Sequence, residues 1–230
     1  MQNVGNAFSL PFRSPNWLGT FALMGLIGII PILGQMALLG WTLALLDNYR
    51  RGVVDLPPAG FQYIGRGVNL FLVILVYGLI IAVIFGAPLV LLFAGSLLAA
   101  NSNAGSYPSA VAGSGFSAYV GIIQLLGLVL YLFYPAVIVA TERGGIAAGL
   151  NPANVLKVAS AKWSNTLIAG LLIYVGFFLA QLGIIACCIG IIFTLPYGYA
   201  VLAGVVRYYE ATLEGPATVP PPQPPPPGYA

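Results

Sequence analysis

Five carboxylates, Asp47, Asp55, Glu142, Glu210 and Glu214, and two thiols, Cys187 and Cys188, carry nearly all the reactive chemistry this chain could offer, and it holds no histidine. General acid–base catalysis needs titratable groups brought together, and a metal site needs three or four donors. The spacing supports neither. Each acid sits at the end of an apolar stretch or beyond it, and no pair shares a helical face inside one. Glu210 and Glu214 are four apart, but they fall where a helix end meets water. Adjacent cysteines do not readily bridge each other, and without histidine two sulfurs make a poor metal site, so Cys187 and Cys188 read as small packing residues. The expectation is no catalytic residue, no cofactor and no metal, hence a protein that is not an enzyme.

The remaining polar groups within the apolar stretches are neutral: Gln35, Thr42, Tyr77, Gln124, Tyr131, Tyr134, Tyr174, Gln181, Thr194, Tyr197 and Tyr199. Such groups bond across helices at roughly 0.6–2 kcal/mol each, or line a path for a weakly polar solute. Small residues recur beside them, at Gly25, Gly28, Gly198, Ala203 and Gly204, and permit close helix contacts.

These groups must be positioned by very long apolar segments. No charge falls between Ser14 and Leu46, between Gly67 and Thr141, or between Trp163 and Val206. Hydrophobic residues make up 60% of the chain and charged ones 6%, far from the roughly 25% charge of soluble domains. The fold class expected is all-α, a polytopic transmembrane helical bundle with a short interfacial helix. It has five spans, or six if the first segment is a proline-broken hairpin.

The segment 17–46 contains Pro31 in Ile30-Pro31-Ile32-Leu33-Gly34. Trp17 and Trp41 would stand about 36 Å apart on one continuous helix, near the separation of the two aromatic belts. Two short helices meeting at Pro31–Gly34 are the competing arrangement, with both ends on one side. Further spans are expected at 69–100, 118–141 and, as a pair with a turn near Gly183–Gly190, over 165–206. Pro88, Pro135 and Pro196, like Pro31, are expected to break their helices. An uncharged loop is expected over 101–117. Asn151 as cap and Pro152 at the first helical position open an amphipathic helix, with Trp163 at its end as an interface anchor alongside Trp17 and Trp41.

The basic residues Arg50, Arg51, Arg66, Lys157 and Lys162 fall in alternate connections, so these should lie on the cytoplasmic side against anionic head groups. The C-terminus is then cytoplasmic, and the N-terminus joins it only with a hairpin. Residues 1–16 read as a juxtamembrane segment, 17–210 as one membrane domain and 211–230 as a disordered Pro-rich tail.

One block is more specific. Pro11-Phe12-Arg13-Ser14-Pro15-Asn16-Trp17, then Ile30-Pro31-Ile32-Leu33-Gly34, Gly40-Trp41, Arg50, Gly52 and Leu56-Pro57 resemble the prokaryotic membrane family catalogued as domain of unknown function 4013. The stretch from Gly149 to Asn165 is similar to that family's amphipathic connector. Where the family often has an acid and a tryptophan after Leu-Pro, this chain has Pro58 and Ala59. The resemblance implies a multi-pass protein of a bacterial or archaeal plasma membrane and brings no activity with it. The function expected is an accessory or assembly subunit; the alternative is a channel or carrier for a small neutral solute or lipid. Its partners would be membrane lipids, its own copies or a membrane complex, and no nucleic acid.

Overall fold

Apolar surroundings force a backbone to satisfy its own hydrogen bonds, and these sequences do so as helices. The computed structural model describes residues 5–101, 107–185 and 189–214. Its helices are α1 (Asn6–Ser9), α2 (Trp17–Gly28), α3 (Leu33–Arg50), α4 (Ile64–Asn101), α5 (Tyr107–Leu150), α6 (Pro152–Ala161), α7 (Trp163–Ile185) and α8 (Ile189–Glu214). Short 3-10 turns at Leu10–Arg13 and Phe61–Tyr63 lead into α2 and α4. Among the described residues there is no strand. Among the described residues four segments are long and apolar enough to cross a membrane: Phe61–Ile84, Gly127–Leu150, Trp163–Gln181 and Gly190–Glu214.

The first apolar segment is a hairpin. The rings of Phe21 and Trp41 lie 6.4 Å apart, whereas 20 residues of continuous helix would separate them by about 30 Å. The single kinked span, and with it the reading of Trp17 and Trp41 as markers of opposite interfaces, is overturned. The chain reverses through a γ-turn, in which Leu33 N–H donates to Pro31 O at 2.7 Å. Ile32 at its centre has φ 65° and ψ −65°, a strained conformation for a β-branched residue.

Only Pro31 breaks its helix. Pro135 and Pro196 lie inside α5 and α8, which continue through them, and α4 likewise runs past Pro88. A proline cannot donate to the carbonyl four residues earlier. For Pro135 and Pro196 that carbonyl lies against a glycine of a neighbouring helix: Tyr131 O against Gly170, and Ile192 O against Gly25. A glycine lets the partner backbone approach to where a Cα–H can face the freed oxygen. The helices are kept continuous from outside.

α5 bends instead at Gly144 and Gly145, whose φ of 70° is the left-handed region that favours glycine. The chain then turns back, bringing Gly149 beside Thr141 and Val73. Asn151 caps α6 by accepting the Ala153 N–H at 3.0 Å, and Pro152 opens the helix as expected. Val155 and Ala159 bury against Ala136, Val137 and Ala140 of α5. Lys162 (φ −144°, ψ 67°) separates α6 from α7, so the connector is a helix of its own.

The uncharged loop expected over 101–117 is shorter than that. Residues 102–106 lie outside the described residues, but α5 already begins at Tyr107. Ala and Ser suit a helix well enough, and Pro108 stands in the first turn, where proline is tolerated. The expected turn near Gly183–Gly190 falls partly on residues 186–188, outside the described residues along with Cys187, Cys188 and the tail from 215. On either side of it Gly183 packs against Gly190 and Thr194, as two antiparallel helices require.

α8 packs against α2, α3 and α7. Trp41, Leu38, Leu45, Leu46, Ile138, Leu202 and Tyr209 are fully enclosed in the resulting core. In lipid such a core is held by close packing rather than by exclusion of water.

Candidate functional site

The charged residues that close the apolar segments converge at one end of the bundle. Asp47 and Arg50 end α3, Arg66 opens α4, Glu142 lies near the bend of α5, and Arg207, Glu210 and Glu214 finish α8. Arg50 joins them. Its Nε donates to Glu210 Oε2 at 2.9 Å and its Nη2 to Oε1 at 2.5 Å. Its Nη1 donates to Asp47 at 2.8 Å and lies 3.6 Å from Glu142. Arg66 pairs with Asp47 and, at 3.3 Å, with Glu142. Arg207 reaches Glu214 at 3.4 Å and Glu210 at 4.0 Å.

Burial raises the affinity of Asp47 for a proton, but hydrogen bonds and charge from Arg66 and Arg50 outweigh it and hold the carboxyl below its ordinary value. The hydrogen bond to Glu210 is the main reason that Arg50 is still harder to deprotonate than a free arginine. Glu210, only 5% exposed, is therefore not a solvated helix end. Its partner lies 160 residues away in sequence, which no local spacing reveals. The one local sign is that both helix ends place an acid and a base three apart, Asp47 with Arg50 and Arg207 with Glu210.

This arrangement divides the five residues expected at lipid head groups. Arg50 and Arg66 spend their guanidinium groups on carboxylates within the bundle. Arg51 is exposed and donates to Asn48 at 2.6 Å. Lys157 and Lys162 are exposed, and among the described residues neither is in a salt bridge. Of the three tryptophans, Trp41 is buried, with Nε1–H donating to Pro57 O at 3.0 Å. Its apolar neighbours and this satisfied donor make it a core residue, not an interface anchor. Trp17 is half-buried between Phe12 and Phe21. Trp163 remains exposed beside Phe133.

Below the charged end a cavity of about 560 Å³ opens between α4, α5 and α6. Ile74, Tyr77, Gly78 and Ile81 form one stripe of α4, at the spacing that puts residues on a common face. α5 contributes Gly127, Leu130, Tyr131, Tyr134 and Val137. Pro152, Val155 and Leu156 close the end nearer the charges, while Phe177 and Tyr199 form the inner wall. Tyr77 donates to Gly149 O at 3.0 Å. Tyr199 donates to Gln35 Oε1 at 2.8 Å, and Gln35 Nε2 in turn to Gly28 O at 3.3 Å. Phe177 stacks edge-on against Tyr199 at 5.4 Å.

Four of the tyrosines named from the sequence thus meet at one cavity. The signal for it was their spacing on helical faces, at 131 and 134, with Gly78 and Gly127 leaving room. Among the described residues, the carboxylates of the charged cluster are held in ion pairs with arginines. The cluster ties helix ends together; the cavity is lined mostly by apolar side chains.

A family described as Protein of unknown function (DUF4013) matches the chain over residues 23–189. That stretch runs from within α2 to the first residue of α8 and includes the whole cavity wall apart from Tyr199. No curated protein and no solved structure matches the chain.

Proposed function

The chain belongs to the DUF4013 family, and from that premise we propose that it is a non-enzymatic accessory or assembly subunit of a prokaryotic plasma membrane. The charged end of the bundle and the C-terminus face the cytoplasm, and the hairpin brings the N-terminal segment to that same side.

The packing of α8 carries this reading. Around Ala200, Val201, Leu202, Ala203, Val205 and Val206, all at most 1% exposed, it is enclosed on every side. The polar atoms at its end are spent on ion pairs with Arg50 and Arg207. A closely packed interior in which, among the described residues, the Tyr49 hydroxyl is the one buried side-chain polar group without a hydrogen-bond partner suits a protein that works through its outer surface. Affinity purification of the full chain in nanodiscs, after crosslinking in native membranes, should return a second copy or a defined membrane partner. Recovery of uncrosslinked single chains from every preparation would sink the reading.

The cavity favours a second reading, a carrier for a small neutral solute or lipid. Flux into liposomes that rises with the reconstituted protein and falls when the cavity is filled would establish it over the first. The orientation has its own test. A cysteine at position 162 should be labelled only from the cytoplasmic side.

A further inference from the structure

We propose that the cavity between α4, α5 and α6 holds the hydrocarbon tail of an anionic phospholipid, whose head group rests against Lys157 and Lys162. The inference goes beyond the accessory role and depends only on the bundle lying in a bilayer. A chain found without any protein partner would leave it untouched.

Depth and opening come first. Tyr199 on the inner wall precedes Glu210 by eleven positions, which places it about 16 Å below the charged end along α8. The cavity therefore lies at the level of acyl chains. Its rim includes Leu130 and Leu156, 39% and 54% exposed, and these continue into the exposed Val129, Leu79 and Ile80. Its mouth thus opens where lipid tails lie, not where water does. A volume of about 560 Å³ falls within the roughly 300–1,000 Å³ of small-ligand sites. An apolar space of that size neither holds water well nor stays empty without loss of contact energy.

Charge then selects the head group. α6 closes the cavity at its charged end with Pro152, Val155 and Leu156, and Lys157 is the next residue along. From 143 to 209 the chain has Arg143, Lys157, Lys162 and Arg207 and no carboxylate. The carboxylates of the cluster are already paired with Arg50, Arg66 and Arg207. With Arg207 paired, the exposed Arg143, Lys157 and Lys162 are left in this stretch to meet a phosphate, and the two lysines are the ones carried on α6 and at its end, at the level where a helix with one apolar face sits in a membrane.

The test uses the full chain in nanodiscs with a phosphatidylglycerol carrying a photoactivatable diazirine in its tail. Labelling should concentrate on Ile74–Ile81 and Leu130–Val137. A Cβ at Gly78 or Gly127 meets nothing within 4 Å, so Gly78→Leu with Gly127→Leu fills the space without striking backbone. That pair should cut the labelling roughly tenfold. Lys157→Gln with Lys162→Gln should reduce the preference for this probe over its phosphatidylcholine counterpart, also roughly tenfold. Labelling spread evenly around the bundle, or untouched by the filling pair, overturns the site. Equal labelling of the parent chain by both probes overturns the head-group assignment. If the filling pair fails to fold, the label positions on the parent chain and the lysine pair still decide.

Discussion

Gly25 of α2 lies against the carbonyl of Ile192, the one oxygen of α8 that Pro196 leaves without its helical donor. The contact joins the hairpin to the last helix at a point where each depends on the other. A methyl group on Gly25 would overlap the Ile192 carbonyl, and backbone cannot step aside as a side chain can. Gly25→Ala should therefore destabilise by about 1–3 kcal/mol. Gly19, on the same helix, has open space around its Cβ position. Gly19→Ala should stabilise slightly through helix propensity. Thermal unfolding of both variants in nanodiscs checks the contrast, and equal behaviour would remove the contact from the account.

Removing Arg50 leaves the Glu210 carboxylate buried, with Arg207 4.0 Å away as its nearest cation. Arg50→Ala should cost on the order of 3 kcal/mol, as the loss of one partner of a buried pair does. Arg50→Lys keeps the charge but not the two-point fork, and should fall between. Denaturation midpoints that do not separate Lys from Ala at position 50 would mean that the geometry of the pair is unimportant.

Acid should loosen the charged end. The folded state holds Asp47 below its ordinary value of 3.8, so it binds its proton less readily than the unfolded chain does. The stability this contributes is fully present above that ordinary value and is lost as pH falls through the lower folded one. Melting temperatures should be level from neutral pH to about pH 5 and decline below pH 4. In Asp47→Asn the decline should be shallower; an unchanged acid limb would assign it to other groups.

Ile32 holds a positive φ that glycine adopts freely and a β-branched residue does not. Ile32→Gly should relieve strain of about 1–3 kcal/mol, partly offset by the greater freedom of the unfolded glycine. The expected outcome is an unchanged or higher melting temperature. A clear loss of stability would show that the exposed Ile32 side chain matters more than the turn.

Much of this architecture is legible in the residues. The ends of the apolar stretches mark α4 and α7 closely, although α8 runs on past Val206 to Glu214, and Asn151-Pro152 announces α6 because cap and first-turn proline are local chemistry. What escapes is whatever depends on a distant partner. Pro135 and Pro196 look like breaks until Gly170 and Gly25 are seen beside the oxygens they free. Trp41 looks like an interface residue because its distance from Trp17 was measured along a helix that Pro31 and Ile32 fold in two. Arg50 and Arg66 look available to lipid because Glu210 and Glu142 belong to other helix ends than either, and Asp47 to another than Arg66. The four tyrosines of the cavity were visible singly; their convergence needed α4, α5 and α8 in place.

Because Arg50 meets Glu210 across 160 residues, the bundle needs α8, the last of the described helices, to complete this pair. At about 5–20 residues per second, synthesis of that interval takes roughly 8–30 s. Through that time the hairpin stands in the membrane without α8, and Arg50 without its deepest counter-charge. A nascent chain stopped before Ile189 would lack the Glu210 partner of Arg50, which keeps Asp47 and Glu142 beside it, and would leave the α2–α3 face bare. The arrival of Glu210 ends that interval.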